Sequence, residues 1–152
     1  MTEAASPIPG RGVLRAALVA LDGFTALTAI GGGIALAAGV EGDRFPVELL
    51  AGTPFSSYVA PGLILAVVVG GSAAAATAAT LRSLRRGARV STLAGGILMG
   101  WIVGEVAILQ APEARSLVEA MYSGIGLLMV GLGIVGWRLE RPRRLPDDRI
   151  GV

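Results

Sequence analysis

The chain has no histidine, no cysteine, no lysine and no asparagine, and Gln110 is its only glutamine. Histidine-ligated haem or zinc, iron–sulfur clusters, thiol catalysis and lysine Schiff bases therefore lack their usual protein groups. Neither a metal nor a cofactor is expected. Disulfides cannot form, so cysteines say nothing of the redox compartment. Charge is scarce too: 16% of the 152 residues are charged, against 53% hydrophobic, and the mean hydropathy is +0.70. A soluble domain of this length needs enough polar surface to cover its core. The composition points instead to a membrane protein, and its all-arginine basic residues with abundant Ala, Gly and Val suggest a high-GC genome.

A helix crossing a bilayer core needs about 20 mostly apolar residues. Four segments qualify, roughly residues 13–40, 58–81, 90–109 and 117–137, separated by polar stretches with turn chemistry such as "EGDRFP", "RSLRRGAR" and "QAPEARS". The expected fold is all-α, a polytopic membrane protein with four transmembrane helices in a compact antiparallel bundle. Residues 1–12 would form a cytoplasmic N-terminal segment, 13–137 the transmembrane domain and 138–152 an Arg-rich cytoplasmic tail.

Arginine sets the expected orientation, because it is retained on the cytoplasmic side. Arg11 and Arg15 precede the first span, Arg82, Arg85, Arg86 and Arg89 lie between the second and third, and Arg138, Arg141, Arg143, Arg144 and Arg149 follow the fourth. Only Arg44 and Arg115 occupy the other two connections. Both termini are expected in the cytoplasm of a bacterial cell, the chain lying in the inner membrane. Clustered arginine also attracts phosphate. With a net charge of only +2 and no interleaved aromatics, retention explains the clusters better, and the lipid bilayer rather than nucleic acid is the expected partner. A cleaved signal peptide is the alternative for the first segment, given "ALAAG" at its end, but the apolar run is long for one and contains Asp22.

The connection from Val40 to Gly62 mixes apolar Phe45, Leu49, Leu50 and Phe55 with the helix breakers Pro46, Gly52 and Pro54. It predicts a short amphipathic turn on the outer surface, with Ser56 or Ser57 capping the second helix and Pro61 in its first turn. Phe55, Tyr58 and Trp137 suit the interfacial aromatic belt.

In lipid, small side chains let helix backbones approach. Gly96, Gly100 and Gly104 form a GxxxGxxxG row on one face of the third helix, and the fourth carries Gly124, Gly126, Gly131, Gly133 and Gly136. Gly96, Gly100, Gly104, Gly124 and Gly131 are the expected packing positions. Packing within the chain is the simpler use of the row, and self-association or a membrane protein partner the other.

Three acids fall within or just inside the spans. Glu119 lies near the start of the fourth, close to water, and Asp22 lies nine residues into the first, where it is expected as a packed or snorkelling acid, with an arginine of the second or third helix or Arg15 as the alternative partner. Glu105 lies deeper, with Trp101 one turn away on the same face and Tyr122 on the next helix. With no lysine or histidine for a partner, it is expected as a neutral acid donating a hydrogen bond to Tyr122 or Ser123. Asp22, Trp101, Glu105, Glu119 and Tyr122 make up the candidate intramembrane polar site.

The Trp101–Glu105 pair in a four-span chain resembles small multidrug-type exporters, although their essential glutamate belongs to the first helix, where this chain has Asp22. The stretches "LLAGTPFSSYVAPG" and "WIVGE" resemble uncharacterised four-helix integral membrane proteins of high-GC bacteria. That likeness implies the fold and no activity. No catalytic residue is assigned. The residues themselves leave two readings: a non-enzymatic structural, assembly or complex subunit, or a small proton-linked transporter or channel using Glu105.

Overall fold

The structure, a computed structural model, describes residues 9–40, 46–108 and 116–140. It is all-α, with α1 Pro9–Ala37, α2 Val59–Arg82, α3 Leu84–Ile108 and α4 Ser116–Leu139, and a 3-10 turn at Val47–Leu50. All four helices are long and apolar enough to cross a membrane. At 1.5 Å per residue the shortest runs about 36 Å, more than the hydrocarbon core of about 30 Å.

Local chemistry sets the ends. Pro9 suits the first helical position of α1, where no N–H is needed. Gly39 ends the helix at φ +71°, as its N–H bonds the Leu36 carbonyl and the Val40 N–H reaches back to Ala35, closing a Schellman motif. The turn before α2 is amphipathic as expected: Leu50 is buried while Val47, Glu48 and Leu49 are exposed. Thr53 stitches it by donating to the Leu50 carbonyl at 2.8 Å and accepting from the Phe55 N–H at 3.2 Å. Neither Ser56 nor Ser57 caps α2. Tyr58 holds the N-cap position, its carbonyl accepting from the Gly62 N–H at 2.9 Å, and its hydroxyl donates to the Pro46 carbonyl. Within α2, Leu65–Gly70 is wound as π-helix.

The third helix starts six residues earlier than its hydropathy indicates. Only Ser83, extended at φ −158° and ψ 120°, separates α2 from α3, so Arg85, Arg86 and Arg89 belong to a helix rather than a loop. Arginine is a good helix former, and the Ser83 carbonyl accepts the first bond of α3 from the Gly87 N–H.

The helices pack as successive antiparallel neighbours, with α3 against α4 the most extensive pairing and α1 against α4 closing the bundle. The interior is narrow and alanine-rich: Ala29, Val69, Ala76, Ala94, Leu98, Ile102 and Met129 form one cluster, and Leu14, Leu18 and Ala88 another. Large apolar side chains such as Leu27, Val67, Leu93, Val103 and Leu127 point outward, as they do where lipid is the solvent.

Glycine does bring backbones together, but through a different set from the expected one. Gly33 of α1 faces Gly62 of α2, and Gly95 of α3 lies so close to α4 that a Cβ there would be 2.8 Å from the Gly126 carbonyl oxygen. A Cβ at Gly96, Gly100, Gly104, Gly124 or Gly131 would meet nothing within 4 Å. The row Gly96, Gly100 and Gly104 lies across the helix from the buried row Ser91, Ala94, Gly95, Leu98 and Ile102. Fourfold spacing identifies a face. It does not say whether that face turns inward, because lipid and an alanine-lined interior are equally apolar.

Candidate functional site

Along α1 the inward residues are Leu14, Leu18, Asp22, Thr25, Ala26, Ala29 and Gly33, the three-and-four spacing of a single helix face. Asp22 sits in the middle of that row and is 0% exposed. It meets no arginine among the described residues and is packed within the bundle. Its Oδ1 accepts a hydrogen bond from Ser91 Oγ of α3 at 2.8 Å, which ties the first helix to the third. Thr25, one turn on, donates to Met129 Sδ of α4 at 3.7 Å. Thr80 of α2 is also fully buried, pressed against Gly87 of α3.

Asp22, Thr25, Thr80 and Ser91 are the buried polar residues among those described. Two of their oxygens, Asp22 Oδ2 and Thr80 Oγ1, make no hydrogen bond. A charged aspartate at the centre of a membrane helix costs about 2.5–3.5 kcal/mol, whereas an interhelical hydrogen bond in lipid contributes about 0.6 to 2 kcal/mol. The one bond from Ser91 does not by itself offset the cost of a full charge.

The other expected residues lie elsewhere. Glu105 is half-buried near the last turn of α3, and Glu119 is half-buried in the first turn of α4. Trp101 and Tyr122 both pack on the cluster that includes Leu98 and Met129, and Tyr122 stacks on Phe24 at 6.4 Å between ring centroids. Ser91, the partner of Asp22, precedes Glu105 by fourteen residues, about 21 Å along α3. Asp22 and Glu105 therefore cannot act on one small molecule. Among the described residues no three acids come together to hold a metal.

The helix ends around Ser83 gather the arginines. Arg11 pairs with Glu140 at 2.7 Å, joining the start of α1 to the end of α4, and Arg15 donates to the Leu81 carbonyl. Arg89 lies 5.8 Å from the ring centroid of Trp137, which packs on Leu14, Leu18 and Ala88. Arg44 and Arg115 fall outside the described residues.

Ser91 and Thr80 carried no signal in the sequence while Ser91 was read as the second residue of a span beginning at 90. Once α3 starts at Leu84, Ser91 lies two turns inside a helix, level with Asp22. No family model, no curated protein and no solved structure matches the chain.

Proposed function

We propose that this chain is a non-enzymatic membrane helix bundle that works through packing, as a structural, assembly or complex subunit of a bacterial inner membrane with both termini in the cytoplasm. The use made of its polar side chains carries this reading. Thr28, Ser72, Thr77 and Thr92 spend their hydroxyls on carbonyls of their own helices, while Ser91 and Thr25 fasten one helix to another. Polar chemistry inside the bundle thus serves helix shape and helix joining. The open face of Gly96, Gly100 and Gly104 is smooth enough to seat a further helix, from a second copy or another membrane protein.

Molecular mass in lipid nanodiscs tests this. A particle larger than the 15.4 kDa chain is expected, and Gly100→Leu should reduce its mass without changing its melting. A wild-type monomer would defeat self-association through this face. The transporter or channel reading has its specific support in Asp22, the fully buried acid, rather than in half-buried Glu105.

A further inference from the structure

We propose that Arg85, Arg86 and Arg89 of α3 bind the headgroup of an anionic phospholipid in the leaflet at their end of the bundle. This goes beyond a packing role. It also goes beyond retention of arginine on one side of the membrane, which depends on how many arginines lie there and not on which turn of which helix holds them.

The other described arginines at this end are accounted for by the bundle itself. Arg11 pairs with Glu140, and Arg15 donates to the Leu81 carbonyl. Arg82 and Arg138 lie in the last turns of α2 and α4, where a helix favours positive charge. Arg85 and Arg86 instead occupy the first turn of α3, where the helix dipole opposes positive charge, and no acid shares that turn. Arg89 follows them at four and three residues, the spacings that bring like charges together on a helix. All three are exposed. Arg85 and Arg86 have no hydrogen bond or ion pair among the described residues, and Glu140, the described acid at this end, is already taken by Arg11. An anion seated among the three guanidinium groups turns both unfavourable effects, the dipole and the mutual repulsion, into attraction.

Depth favours a lipid over a dissolved anion. With 25 residues α3 runs about 37 Å, against a hydrocarbon core of about 30 Å, so about five of its residues stand clear of hydrocarbon, and the arginines put them at its start. Arg89 lies 5.8 Å from the ring centroid of Trp137 on α4, and tryptophan favours the headgroup level. Arg85 lies four residues or about 6 Å further out along α3, toward the phosphates. In the other direction the same face continues as exposed Leu93 and Ile97, against which an acyl chain can lie. The planar guanidinium group grips a phosphate through two parallel N–H bonds. A headgroup of net negative charge is preferred to a zwitterionic one, because it brings no ammonium group beside three cations.

Native mass spectrometry of the full chain, released from nanodiscs of equal phosphatidylcholine and phosphatidylglycerol, tests the proposal. Wild type should retain phosphatidylglycerol severalfold over phosphatidylcholine, and inorganic phosphate should not displace it. Arg85→Gln/Arg86→Gln should lose the preference, whereas Arg82→Gln/Arg138→Gln, which removes the same charge from the same end, should keep it. Phosphatidylglycerol added to phosphatidylcholine nanodiscs should also raise the melting temperature of wild type and not that of Arg85→Gln/Arg86→Gln, a comparison made within each protein and so independent of its basal stability. Equal retention of the two lipids would overturn the proposal. So would displacement by phosphate, which marks a site for soluble anions, a preference that survives in Arg85→Gln/Arg86→Gln, or one lost equally in Arg82→Gln/Arg138→Gln, which marks diffuse attraction.

Discussion

Gly33 and Gly62 meet backbone to backbone: a Cβ on either would lie 2.5 Å from the carbonyl oxygen of the other. No flexible side chain at this crossing can move aside, so even one methyl group must part α1 from α2. Gly33→Ala and Gly62→Ala should each lower stability by about 1–3 kcal/mol, the range for overpacking a tight core. Thermal unfolding in detergent is the readout, and wild-type melting of both variants would refute the crossing.

The two glycine faces of α3 should behave oppositely. Gly95→Leu places a side chain against Gly126 and Met129, whereas Gly100→Leu points into open space. The first should unfold the isolated chain and the second leave its melting unchanged. Leu98→Ala, in the core at 3% exposure, should cost about 2–5 kcal/mol.

Removing the bond between α1 and α3 isolates its contribution. Ser91→Ala should destabilise the bundle by about 0.6 to 2 kcal/mol, as interhelical hydrogen bonds in lipid do. Chemical denaturation in mixed micelles would measure it. A stability equal to wild type would mean that the hydroxyl is idle.

At Glu105, a structural role predicts that Glu105→Gln keeps wild-type stability, because glutamine preserves shape and hydrogen-bonding capacity. Glu105→Leu should cost about 1–3 kcal/mol by stranding a partner. Equal melting of the two variants would argue against a hydrogen-bonding role.

Orientation is testable because the chain contains no cysteine. Ser56→Cys, in the exposed turn before α2, should react in intact cells with a membrane-impermeant thiol reagent, and Ser83→Cys, between α2 and α3, only after lysis. Labelling of Ser83→Cys in intact cells would reverse the topology drawn from arginine.

Helix number and approximate extent were legible in the sequence because hydrocarbon requires long apolar runs whatever they pack against. Facing was less legible. On α1 the row through Leu14, Leu18 and Asp22 can be read from spacing once Asp22 is taken as inward, but a lone acid at that depth is equally compatible with an arginine partner. On α3 the glycine row suggested a packing face, whereas the inward side is set by Ser91, Ala94, Gly95, Leu98 and Ile102, which no composition rule distinguishes from a lipid-facing set. The link at Ser83 was hidden by its arginines, which resemble a polar loop and fold as helix.

That link also governs how the chain meets proteases. Arginine-directed cleavage requires several residues of extended backbone in the enzyme's cleft, and between α2 and α3 the chain provides Ser83 alone. Arg82, Arg85 and Arg86 thus offer scissile bonds that are exposed by side chain and shielded by backbone. Limited trypsinolysis there should report local unwinding of α2 or α3 rather than accessibility, and so give a direct clock for opening of the hairpin.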